Sequence, residues 1–217
     1  MSLRSVVRHP AAPRRLRRST WLICAGALVA ALAVSLASLA LAVDSSFSDV
    51  PTSHVYYTAI NHLASEGVIG GYEDGNFGPE KPVTRQQFAK MVVRAGGYPV
   101  SEADVCTFAD VETSGPGELF PDNYVAVCAA NGITQGKTVT SFDPYSLVTR
   151  YQVVTMVVRA ADDLAPDPLS TPPSGWSPTG PWGNDPIHGA NAARAEYNGI
   201  LDGLDLSLLS PTASMSR

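Results

Sequence analysis

Three arginines share one setting, and that setting suits anion chemistry. Arg85, Arg150 and Arg217 each follow a hydroxyl residue (Thr84, Thr149, Ser216), and each stands 18 residues after a glycine (Gly67, Gly132, Gly199). In "PVTRQQFAKMVVRAGG", residues 82–97, Thr84 and Gln87 have the spacing of a capping box, which puts Arg85 in the first turn of a helix. A cation there opposes the positive end of the macrodipole, at a cost of about 0.3–1 kcal/mol. The same place offers unpaired backbone N–H groups. Joined to a guanidinium, they make charge-assisted donors for a carboxylate. Three such sites would hold a polyanion multivalently. The competing reading pairs each arginine with an acid of a neighbouring repeat, Asp49 or Asp110, as an inter-repeat clamp.

Other side chains carry less chemistry. Asp49 and Asp110 recur in "FSDV" and "FADV", where a cap on the following turn or helix competes with direct ligand contact. Tyr57 suits either stacking on a sugar ring or an ordinary helix face. Gly70, Gly71 and Gly136 suit special backbone geometry, and equally the close approach of a ligand. Cys106 and Cys128 read either as a disulfide, which would contribute about 3 kcal/mol, or as two buried thiols. With no nearby histidine, they cannot make a zinc site. Catalytic patterns are weak. "GITQGKT" falls one residue short of a phosphate loop and aligns with a structural turn elsewhere. His54, His62 and His188 have no evident nucleophile or ligand partners, and "YEDGNFGPE" has too few spaced acids for a calcium loop. The expectation is a binding protein, not an enzyme, without metal or cofactor.

The elements that must position these residues are repeated. "GVIGGYEDGNFGPEKPVTRQQFAKMVVRA" from Gly67 and "GITQGKTVTSFDPYSLVTRYQVVTMVVRA" from Gly132 align at a constant offset of 65 residues. A third copy, "AEYNGILDGL" (195–204), places Gly199 in the role of Gly67 and ends on Arg217 before its second helix. Each full copy reads as helix, loop, helix. In "SHVYYTAINHLASEG" Ser53 is the expected cap, Gly67 the stop, and Val55, Tyr56, Ala59, Ile60 and Leu63 the apolar face. "YVAVCAANG" is its equivalent. In the second helix Phe88, Met91, Val92 and Ala95 form the expected face, ended by Gly96–Gly97. Between copies two and three, "DDLAPDPLSTPPSGWSPTGPWGNDP" holds seven prolines and reads as an extended, partly stiff connector.

The first 42 residues differ in kind. Six arginines without an acid precede 23 uncharged residues and Ala40-Leu41-Ala42, the pattern of an export signal cleaved before Val43. The run is also long enough for an uncleaved membrane anchor. Beyond Val43 nine basic residues face all 20 acids, a balance of −11. That excludes the basic stripe of a nucleic-acid binder.

Phe-x-Asp-Val, a helix, Gly-Val-Ile-x-Gly-Tyr-x-Asp-Gly-x-Phe-x-Pro and Val-Thr-Arg before a second helix together resemble the S-layer homology (SLH) module. The resemblance covers residues 47–95 closely, 108–160 well and 182–217 weakly. It implies an all-α fold, with tandem helix-loop-helix repeats packed as a pseudo-threefold bundle behind the N-terminal signal or anchor helix. The implied domains are 1–42 (signal or anchor), 47–95, 108–160, a connector at 161–181, and a truncated third repeat at 182–217. The implied function is attachment of an exported protein to the bacterial cell surface. The ligand would be an anionic wall polysaccharide, a pyruvylated one being the family's common case. By the same resemblance Arg85, Arg150 and Arg217 would meet the sugar; Asp49, Asp110, Tyr57 and Gly71 stand beside them as the further candidate contacts weighed above. The membrane would be a partner only through an uncleaved N-terminal segment. Gln86-Gln87 and Tyr151-Gln152 stand where the family has Ala-Glu, so the identity of the sugar does not carry over. Two alternatives remain: the anchoring part of a longer surface hydrolase, or a membrane-anchored scaffold using the bundle for protein contacts.

Overall fold

The computed structural model describes residues 47–165 and 169–217. The export or anchor segment, 1–42, lies outside the described residues. Among the described residues five α-helices follow one another: α1 (Tyr57–Ser65), α2 (Arg85–Ala95), α3 (Asp122–Ala130), α4 (Arg150–Leu164) and α5 (Gly189–Tyr197). One 3-10 turn, Gly180–Gly183, precedes α5. Among the described residues the only β-type pairings are isolated bridges, so the fold is all-α. No helix among them is long and apolar enough to cross a membrane.

The capping box predicted for α2 is present. The Gln87 amide donates to Thr84 Oγ1 at 3.4 Å, and the Thr84 amide donates to Gln87 Oε1 at 3.0 Å. The same box opens α4, where Thr149 and Gln152 exchange bonds of 3.3 and 3.1 Å. Both helices thus begin at the arginine, with two otherwise orphaned N–H groups satisfied.

The segments just before the arginines close a ring. The Val83 amide donates to the Met215 carbonyl, Met215 to Val148, and Val148 to Val83, at 3.0, 2.8 and 2.9 Å. Each of these residues lies two positions before its arginine. Bridges pair Pro82 with Ser216, Thr84 with Leu147, and Thr149 with Ser214, again at matching positions. Three extended strips therefore meet edge to edge as a triangle. Because every strip pairs with both others, none of the three is left with an open edge.

Each of the first two repeats ties its own loop with an aspartate. Asp49 accepts from the Phe77 and Gly78 amides, both at 2.7 Å. Asp110 accepts from the Phe142 and Asp143 amides and from Ser141 Oγ, each at 2.8 Å. These are bonds across about thirty residues of chain, so neither carboxylate caps the helix that follows it. The tied residue adopts left-handed backbone in both copies, φ 71° at Gly78 and 60° at Asp143. Phe47 packs on Phe77 and Phe108 on Phe142, with centroids 5.2 and 5.5 Å apart.

Packing departs from the expected faces. α2 packs against α3, and α4 against α5, burying Val92, Val93, Val125, Cys128, Val158 and Ala195 between them. On α2 the core-facing residues are Ala89, Val92 and Val93, with Arg85 and Gln86 buried at its start; Phe88 and Met91 are half-buried, and Ala95 is exposed. α1 buries only Ile60, leaving Tyr56 and Leu63 exposed and Val55 83% exposed. Its first residue is Tyr57 and its N-cap is Tyr56, which makes no side-chain cap bond, so Ser53 does not cap it. The physical reason lies in what packs alongside. Cys128 and Ala195, which precede their glycines by the same four residues as Leu63, are fully buried because α2 and α4 cover them. No described helix covers α1 in that way.

The proline-rich stretch is tied to repeat three. α4 runs to Leu164, inside the interval expected to be connector. Arg194 then donates to both Asp162 oxygens at 2.6 and 2.7 Å and to the Leu169 carbonyl at 2.7 Å. Trp182 is buried, with its indole N–H donating to the Leu206 carbonyl at 3.1 Å.

Candidate functional site

The three arginines reach forward in cyclic order, each into the next repeat. The Arg85, Arg150 and Arg217 amides donate to the carbonyls of Ser146, Ala213 and Lys81, each four residues before the next arginine. The side chains follow the same rule. Arg85 Nε donates to the Phe142 carbonyl at 2.9 Å and lies 4.7 Å from the centre of that ring. Arg150 Nη1 donates to the Ser210 carbonyl at 3.0 Å. Arg217 Nη2 donates to the Gly70 carbonyl, and its guanidinium lies 4.8 Å from the centres of both the Tyr72 and Phe77 rings. The arginines thus join repeats through carbonyls and aromatic faces. None pairs with Asp49 or Asp110; the ion pairs among the described residues are Lys137–Asp143 and Arg194–Asp162.

The three are not equally open. Arg85 is only 5% exposed, and burial pushes its pKa down despite Asp143 and Asp110 nearby. Arg150 and Arg217 are half-buried. Arg217 Nε is shielded from solvent and has no acceptor among the described residues.

Arg217 borders a groove of about 300 Å³ between the first repeat's loop and α2. Ile69, Gly70, Gly71 and Tyr72 form one wall, Gln87, Lys90, Met91 and Arg94 the other, and Phe120 of repeat two closes an end. Three cations and no acid line it. Arg94 Nη1 donates to the Gly67 carbonyl at 2.9 Å, and its Nε to Tyr124 Oη at 3.2 Å. Lys90 Nζ lies 4.9 Å from the Phe120 ring centre and 5.4 Å from that of Tyr124. Burial and the Arg94 charge lower its pKa, so the uncharged form is less disfavoured than in a free lysine. A second hollow of about 550 Å³ lies between Tyr151 of repeat two and repeat three, whose Asp185 and 207–212 loop complete its lining. It holds an acid and no cation, so it is the poorer fit for an anion.

The other sequence-derived candidates occupy structural places. Asp49 and Asp110 tie loops, as described. Tyr57 packs against the small cluster of Val50, Ile60 and Phe77. Gly71 lines the groove, and a Cβ on it would stand 2.6 Å from Phe47 Cε1. Gly136 has the same relation to Phe108, at 2.5 Å. Cys106 and Cys128 are free thiols, and burial pushes Cys128 up to about 12. Among the described residues no histidine, cysteine or acid cluster could hold a metal.

Sequence reasoning missed Lys90, Arg94, Tyr72 and Phe120 as groove residues. Arg94 and Lys90 do stand four apart on one helix, which was a legible signal. That Phe120 would close the same groove was not.

Residues 46–89 match the S-layer homology domain family model. Curated proteins similar to this chain include "S-layer protein EA1" of Bacillus anthracis, 28% identical over 138 residues, which are 64% of this chain and 15% of that protein. "Middle cell wall protein" of Brevibacillus brevis is 31% identical over 135 residues, 61% of this chain and 13% of that protein. "Cell surface protein" of Thermoanaerobacter kivui is 31% identical over 184 residues, 82% and 22% respectively. The chain therefore spans less than a quarter of the length of these relatives.

Proposed function

We propose that this chain, which carries an S-layer homology domain over residues 46–89, is an exported protein that attaches to the bacterial cell surface by binding an anionic wall polysaccharide. The observation that carries the reading is the groove beside Arg217. Lys90, Arg94 and Arg217 converge there with no acid among the lining residues, so an anion would meet uncompensated positive charge in a partly desolvated site. Tyr72 and Phe120 add aromatic surface to the lining, and Gly70, where a Cβ would meet nothing within 4 Å, leaves room for a sugar to approach the backbone. A pyruvylated sugar fits this chemistry, because its carboxylate accepts charge-assisted hydrogen bonds. Arg150 offers a second, weaker position at the next repeat boundary. Arg85 takes part by holding repeats one and two together. The reading is of a binding module, with no catalytic role for any residue.

Co-sedimentation of the protein with purified cell walls, before and after extraction of their secondary polysaccharide, tests it. Pelleting that disappears with the glycan is the expected result. Equal pelleting with extracted walls would sink the reading.

A further inference from the structure

The three cations of the groove differ in how much of their bonding capacity is already used. Arg94 donates to the Gly67 carbonyl and the Tyr124 hydroxyl. Arg217 donates to the Gly70 carbonyl and lies against two rings. Both guanidinium groups are fixed by these bonds. Lys90 is different: its ammonium rests near the faces of Phe120 and Tyr124, contacts that consume no N–H donor. No hydrogen bond or ion pair involving its Nζ occurs among the described residues. None of its three donors is engaged, whereas Arg94 has two of its five in use and Arg217 one.

We propose that Lys90 is the specificity-determining residue of the groove, making the direct contact with a carboxylate of the glycan, while Arg94 and Arg217 position the walls around it. The inference rests on the envelope-binding reading above and deepens it. Repeat two supplies an internal contrast. Five residues after Arg150, where repeat one has Lys90 five after Arg85, stands Thr155, whose Oγ1 shares a 2.8 Å hydrogen bond with His188 Nδ1. The equivalent place in repeat two is thus filled by a neutral, mutually satisfied pair. Copies one and two are chemically unequal, and of these two it is repeat one that carries an ammonium at this position. Threonine, the residue at the matching place in α4, is therefore the replacement of choice.

The test is binding of the full chain to solubilised wall polysaccharide, measured by titration calorimetry, with the glycan used as isolated and after its carboxylates are amidated. Lys90→Thr should weaken binding by about tenfold or more, the loss of one hydrogen bond to a charged group, with the thermal midpoint unchanged. Lys90→Arg should retain more affinity than Lys90→Thr, and wild-type binding should fall more steeply with salt than that of Lys90→Thr. Amidation should reduce wild type to the level of the variant. Binding by Lys90→Thr equal to wild type, with Arg217→Ala strongly impaired, would overturn the role of Lys90 and leave the envelope reading standing. Equal loss in Lys90→Thr and Lys90→Arg would overturn it as a matter of charge. Failure of the wild type itself to bind would overturn both.

Discussion

Arg85 is the residue whose meaning changes most between sequence and structure. Read alone, it is a cation at the wrong end of a helix; in place, it is a buried strut to the Phe142 carbonyl. Arg85→Ala should leave that carbonyl without its side-chain donor and open space beside the ring, costing about 2 kcal/mol in a denaturant titration. Arg85→Lys should recover little, because an ammonium cannot reproduce a planar donor laid along an aromatic face. Asp49 makes a pH-dependent contribution at the same scale. Bonds from the Phe77 and Gly78 amides hold its carboxyl below the ordinary carboxylate value, with burial opposing them. A depressed native pKa means the unfolded chain binds the proton more readily. The stabilisation is therefore complete above the unfolded value and lost as pH falls through the native one. Asp49→Asn should lower the thermal midpoint at neutral pH, and the gap to wild type should narrow on acidification.

At the scale of elements, α1 and α5 begin alike in sequence pattern and end unlike in packing. α1 is held chiefly through Ile60, so Ile60→Ala should cost about 2 kcal/mol or more, whereas Leu63→Ala on its exposed side should cost well under that. Chemical denaturation of the two variants separates the cases. The start of α5 is sensitive to acid. His188 bonds Thr155 of α4 through Nδ1 and stacks on Tyr151 with centroids 5.7 Å apart. Burial lowers its pKa, with the Arg159 and Arg85 charges acting in the same direction and Asp185 against them. The neutral ring is the one the fold accommodates. Stability from this contact is present above the unfolded histidine value, about 6.5, and is lost as pH falls through the lower native one. Thermal melts should therefore show a midpoint that falls toward pH 5, with a shallower fall in His188→Gln.

For the whole molecule the ring of Val83, Val148 and Met215 is the organising contact, since it joins positions far apart in the chain. Val148→Pro removes one donor from a fully buried residue of that ring. It should cost at least about 2 kcal/mol and weaken glycan binding as well, because Arg217, which borders the groove, stands only two residues after Met215. Calorimetric melting and wall co-sedimentation of the same variant check the two halves of that expectation.

The sequence by itself determined the local features. Capping boxes, repeat offsets, glycine turns and the alternation of helix and loop all depend on residues within a few positions of one another. Such patterns survive without knowledge of the fold. The sequence also singled out the three arginines, because identical spacing repeated is visible in one dimension. Only the tertiary structure decided what each arginine does. A guanidinium's partner here is a carbonyl in another repeat, and carbonyls are present at every residue, so no side-chain pattern marks them. The same reason explains the exposed face of α1 and the groove beside Lys90. Both depend on which helix lies alongside, and that is settled by the closing of the ring, not by the residues of α1 or α2 alone.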